Sequence, residues 1–160
     1  MELKEPKIVE LVTKYIVENE GNWHLEKSSI ANLKEHGVDI RLVGGSDNGE
    51  CFLIECKGKS YAKSAKSVNK EGWLNALGQL ITRMNVSRTI KSGKTKGKLN
   101  YAYKYGLGLY WVGAQTALRR IPKEIARTLN LHIFSVNDNG VVKHFTWKDF
   151  SQEHPDEEFL

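Results

Sequence analysis

Residues 37–60 read GVDIRLVGGSDNGECFLIECKGKS, two short apolar-rich runs either side of a glycine-rich break. In Gly37–Val43 the apolar Val38, Ile40 and Leu42 alternate with Asp39 and Arg41, the period-two pattern of a strand with one face buried. Cys51–Lys57 (CFLIECK) reads as a second strand, and the SDNG between them supplies a turn, so the spacing predicts an antiparallel hairpin. Side chains two apart on a strand share a face, which sets Glu55 and Lys57 together and Ile54 and Cys56 opposite. A carboxylate and an ammonium among Phe52, Leu53, Ile54 and Cys56 are costly unless paired or bound to something. Hairpin pairing would bring Asp39 to face Glu55. Two close carboxylates raise one another's pKa; a divalent cation relieves that repulsion, and oxygen ligands with open water positions suit Mg²⁺. A neighbouring lysine can position an attacking water or stabilise charge on a phosphate, so two acids and one lysine make a minimal phosphodiester-hydrolysis site. The same residues read equally as a Lys–Glu–Asp salt bridge at a strand end, or as surface residues of an edge strand.

Working outward, Glu5–Asn19 carries Ile8, Leu11, Val12, Tyr15 and Ile16 at helical spacing, with Pro6 in the first turn and Gly21 beyond the end. A short strand is expected over Asn22–Lys27. Downstream, Trp73, Leu77, Leu80, Ile81 and Met84 mark a second helix. Leu107–Val112 (LGLYWV) is apolar on both faces, as in a central strand covered from both sides. A helix is expected around Pro122–Leu129, then a strand over Leu131–Val136, a two-residue Asn139-Gly140 hairpin turn and a partner strand over Val141–Thr146. Trp73, Trp111 and Trp147 are expected in the core. The fold class expected is α/β (α+β mixed), a mixed β-sheet flanked by helices on both faces, in one domain over residues 1–150. Residues 152–160 read as an acidic, frayed tail.

The chain has 160 residues, a net charge of +5 and a pI near 9.1. The charge is clustered. Lys57, Lys59, Lys63, Lys66 and Lys70 occur without an intervening acid, as do Arg88, Lys91, Lys94, Lys96, Lys98 and Lys104. The second cluster runs into Tyr101, Tyr103 and Tyr105, rings interleaved with bases as in a surface that stacks bases and tracks phosphates. Solvated lysine loops would look the same. No apolar run approaches the roughly 20 residues of a membrane span, and MELKEPK is not a secretory signal; an intracellular protein without membrane partners is expected. Cys51 and Cys56 are too few for a disulfide framework. The five histidines lack metal-ligand spacing.

GVDI, a hairpin of about a dozen residues, FLIECKGKS and then a helix carrying ALGQL resemble the PD-(D/E)xK nuclease superfamily, which includes restriction endonucleases and Holliday-junction resolvases. The likeness spans roughly Glu5 to Val136, on four or five specific residues, with Val38 where the motif has proline. It implies a restriction-endonuclease-like sheet and a Mg²⁺-dependent endonuclease (Mn²⁺ as substitute). Asp39 and Glu55 would hold the metal with the main-chain carbonyl of Cys56, and Lys57 would assist the attacking water. Glu10 matches an additional acid on the first helix, with Glu5 and Glu18 as rivals, and Gln79 matches a glutamine near the active site of several branches. Lys59, Lys63, Lys66 and Lys70, with Arg88, Lys91, Lys94, Lys96 and Lys98, would meet nucleic acid. Double-stranded DNA is the implied partner, with a homodimer or larger nucleoprotein complex where two strands are cut. A binding subunit without activity, or a nuclease of RNA or branched junctions, fits the same residues.

Overall fold

The computed structural model describes residues 2–28, 37–45, 49–62, 65–84 and 102–151. The expected turn at Ser46–Gly49, the loop containing Lys63, the stretch from Arg88 to Lys98, Tyr101 and the acidic tail lie wholly or largely outside them. The described elements run α1 (Glu5–Asn19), β1 (Trp23–Ser28), β2 (Ile40–Gly44), β3 (Glu50–Lys57), α2 (Ala65–Arg83), β4 (Ala102–Tyr110), α3 (Trp111–Arg120), α4 (Lys123–Thr128), β5 (Leu131–Val136), β6 (Val142–Phe145) and a closing 3₁₀ turn, η1 (Trp147–Asp149).

The six strands form one mixed sheet in chain order. β1, β2 and β3 are antiparallel, β3, β4 and β5 are parallel, and β6 returns antiparallel to β5. The parallel pairs are joined through helices, as parallel neighbours require. The expected mixed sheet between helical layers is therefore what the chain forms.

Strand alternation divides the core in two. Phe52, Ile54 and Cys56 of β3 pack with Ile8, Val9, Val12 and Ile16 of α1. Cys51 and Leu53 pack on the other face with Trp73, Ala76 and Leu80 of α2 and with Ala114 and Ala117 of α3. β4 is the central strand its double-sided apolarity predicts. Its glycines let α1 sit close: a Cβ on Gly108 would lie 2.6 Å from Cys56 Sγ and 3.3 Å from Val12 Cγ2.

Three expectations need correction. The LYWV run is not all strand, since β4 ends at Tyr110 and α3 begins at Trp111. No side chain caps α3, so the sequence lacks the Ser, Thr, Asp or Asn that would announce its start. Trp111 in consequence stands on the surface at 36% exposure, whereas Trp73 is buried and Trp147 packs on the core edge. The β5–β6 turn is longer than two residues. Asn137 N–H donates to the Val141 carbonyl and Gly140 N–H to the Asn137 carbonyl, with Gly140 at φ 77°, which closes a three-residue loop of the bulged kind. Tyr103 and Tyr105, expected as rings interleaved with bases on a stacking surface, belong to β4; their rings stack on one another and pack against the core.

Candidate active site

The β2–β3 register pairs Ile40 with Ile54, so Asp39, one residue before β2, lies opposite Glu55. Asp39 Oδ2 accepts the Cys56 N–H at 2.7 Å, which fixes that carboxylate beside the end of β3. The N–H and C=O of one strand residue project toward the same neighbour, so the Cys56 carbonyl is turned to the Asp39 side as well. The Cys56 side chain points away into the α1 core, where burial pushes the thiol well above its ordinary pKa; it is a packing group.

Glu55 is 2% exposed, on the α2 face between Leu53 and Lys57. A buried carboxylate needs a counter-charge, and Arg83 at the end of α2 supplies it through Nη1 to Glu55 Oε1. Lys57 stands one step further along the same face, its Cβ beside Gly72 of α2. Its Nζ is 2.9 Å from Glu5 Oε2 at the start of α1. The residues brought together are thus Asp39, Glu55 and Lys57, ringed by Glu5 and Arg83.

Other expected site residues fall elsewhere. Glu10 is exposed and paired with Lys7 at 2.6 Å, so the first-helix acid that reaches the centre is Glu5. Gln79 is exposed on α2; from that helix face it is Arg83 that arrives at Glu55. Arg83 was legible as a neighbour of Gln79 by helical spacing, but its partner lies 28 residues away in sequence. Lys59 does not stand free toward solvent. Its Nζ is 2.7 Å from Asp138 Oδ1 and lies over the Tyr110 ring at 4.8 Å. The Lys59 ammonium holds the Asp138 carboxyl below its usual range, helped by the Tyr110 hydroxyl and the Trp111 indole. Lys66 is exposed on α2 and Lys70 half-buried one turn later; Lys63, Arg88, Lys91, Lys94, Lys96 and Lys98 lie outside the described residues.

Among the described residues no three His, Cys, Asp or Glu side chains cluster so as to hold a metal by themselves. Mg²⁺ does not require that, being held by one or two carboxylates with water and substrate phosphate completing its shell. Asp39, Glu55 and the Cys56 carbonyl, all at the end of β3, are hard oxygen donors of the kind such an ion takes, with Arg83 as its competitor for Glu55.

The chain is a mixed α/β protein with Asp39, Glu55 and Lys57 at the carboxyl end of β3, the end at which parallel strands leave a crevice for ligands. No protein-family model, curated protein or solved structure matches the chain. No described helix is long and apolar enough to cross a membrane.

Proposed function

We propose that the chain is a metal-dependent nuclease with a restriction-endonuclease-like core, hydrolysing phosphodiester bonds of nucleic acid, most simply as a DNA endonuclease. The observation that supports this reading is the convergence of Asp39, Glu55 and Lys57, from two strands, on one face at one end of the sheet. Asp39 and Glu55, with the Cys56 carbonyl, would hold Mg²⁺ or Mn²⁺, which when bound supplies Lewis-acid stabilisation of charge developing on the scissile phosphate. Lys57 orients the attacking water and offers its ammonium to the phosphate. Glu5 holds Lys57 in place between turnovers, and Cys56 N–H holds Asp39. Arg83 keeps Glu55 neutralised and yields that oxygen, or shares it, when a cation is bound. Cleavage of supercoiled plasmid, linear duplex and four-way junction in Mg²⁺, Mn²⁺ or EDTA tests the reading. Metal-dependent cutting that disappears in Asp39→Ala is the expected result.

One observation favours a second reading. The Glu55–Arg83 and Lys57–Glu5 pairs leave each centre charge with a protein partner, as in a binding module that does no chemistry or that cuts only when a partner rearranges it. A folded wild type that binds DNA and cuts no substrate in either metal would select it.

A further inference from the structure

Helix α3 turns Gly113, Ala114 and Ala117 inward. These small residues allow close packing: a Cβ on Gly113 would lie 2.9 Å from the Asn69 carbonyl of α2. Trp111, Gln115, Arg119 and Arg120 are left outside, while Val112 and Leu118 pack on the core edges. Trp111, Gln115 and Arg119 follow at four-residue spacing, a single stripe along the helix, with Arg120 beside it. Together with Lys70 of α2 they line a groove of about 210 Å³. The walls are mainly carbon, and among the described residues the charged groups that line the groove are Lys70, Arg119 and Arg120, all basic. Arginines at a helix C-terminus also complement the helix dipole. That does not account for the aromatic ring at the far end of the stripe.

The groove adjoins the candidate centre. Lys57 is in register with Leu109, two residues before Trp111, and faces Gly72, two residues after Lys70, where an added Cβ would lie 3.6 Å from Lys57 Cβ. The Trp111 ring is buttressed edge-on by Tyr110 at 5.9 Å, and Tyr110 is itself tied through its hydroxyl to Asp138. Its position is thereby fixed while 36% of the residue stays exposed. An indole held this way beside cations suits a flat π-system attached to phosphates. A duplex hides base faces within its stack; an unpaired nucleotide exposes them.

We propose that the α2–α3 groove binds a single-stranded segment of nucleic acid, with one unstacked base on the Trp111 ring and the adjoining phosphates on Lys70, Arg119 and Arg120. Its connection to cleavage rests on the nuclease reading; the binding itself does not. The substrate class that follows is nucleic acid with an unpaired stretch, such as an overhang, flap or junction arm.

The test is anisotropy of labelled single-stranded DNA, single-stranded RNA and blunt duplex, all in EDTA. Wild type is compared with Arg119→Glu/Arg120→Glu, Trp111→Ala and Trp111→Phe, and thermal melts check each fold. The charge reversal is expected to weaken single-strand binding at least tenfold and to flatten its salt dependence. Trp111→Ala is expected to cost about tenfold on single strands and little on duplex, while Phe keeps most of the affinity. Binding to either sugar supports the proposal, and the tighter one names the substrate. Unchanged single-strand affinity in the folded charge-reversal variant overturns it, as does a Trp111→Ala loss equal on single strand and duplex. A wild type that never cuts but loses strand binding with Arg119 and Arg120 sinks the nuclease reading and leaves this one standing. Cutting by a protein whose groove variants bind normally does the reverse.

Discussion

Two polar clusters lie on opposite faces of the sheet and solve the cost of burial differently. On the α1 face, Glu20 Oε1 is 2.7 Å from His144 Nδ1, and His144 Nε2 is 2.8 Å from His132 Nδ1. Phe134 stacks on His144 and Phe52 meets His132 edge-on. Burial, helped by His144 and Lys104, lowers the His132 pKa to about 4, so this imidazole is neutral. Within the cluster the buried His132 is satisfied by hydrogen bonding to His144 and carries no charge of its own. On the α2 face, Asp39 and Glu55 lie opposite one another at the end of β3; Arg83 offsets Glu55, the Cys56 N–H holds Asp39, and Lys57 beside them pairs with Glu5. Removing ions from water costs several kcal/mol each, and an apolar replacement is often at least as stable. The α1 cluster is explained by packing. The α2 cluster is not, and function is the reason to look there.

The largest expected effect separates the two clusters by activity. Lys57→Ala should slow cleavage roughly 10²–10⁴-fold, the range for a positioned proton-handling group, with the melting temperature nearly unchanged. Phe substituted for His132 should leave cleavage intact. Native-rate cutting by the Lys57 variant would remove that residue from the site.

Arg83→Met leaves Glu55 buried without its counter-charge and should cost about 3 kcal/mol in EDTA, as for a broken buried pair. Added Mg²⁺ should recover more stability in the variant than in wild type, because the cation and the guanidinium compete for one carboxylate. Equal metal-induced shifts in the two proteins would show that Glu55 binds no cation.

The histidine cluster predicts a pH signature. His132 binds its proton with a pKa of about 4 when folded, against 6.5 ordinarily. Below pH 6.5 the unfolded chain takes up a proton that the folded chain refuses, so stability is full above pH 6.5 and falls as pH drops toward 4. The total loss is roughly 3 kcal/mol. Denaturant unfolding across that window should show the slope in wild type and not in His132→Phe; an identical slope in both would assign it elsewhere.

Gly108→Ala drives a methyl into Cys56 Sγ and should destabilise by about 1–3 kcal/mol, the usual cost of overpacking. The smallest effect is reserved for Glu10. Glu10→Gln should change stability by less than about 0.5 kcal/mol, as exposed sites generally do, and leave cleavage untouched. Glu5→Gln, by releasing Lys57, should alter the rate. A loss of activity from Glu10→Gln alone would reverse the assignment made from the geometry.

Much of the architecture was legible in local pattern. The stripe of Ile8, Val12 and Ile16 marks α1, the alternation around Asp39 and Glu55 marks the hairpin, and both readings place the two acids together. α3 was not legible, because Tyr110-Trp111-Val112 continues the apolar run of β4 and no capping residue interrupts it. Its stripe of Trp111, Gln115 and Arg119 was hidden for the same reason.

Local pattern alone gives which residues alternate and which recur at helical spacing, hence the strands, three of the four helices and the shared face of Glu55 and Lys57. These follow from the fixed periods of the backbone. Tertiary packing is what makes Glu5 rather than Glu10 reach Lys57, Arg83 rather than Gln79 meet Glu55, and Asp138 tie Lys59 to Tyr110. Each of those contacts joins segments distant in sequence, and its partner is set by how helices seat on the sheet, which no local period encodes.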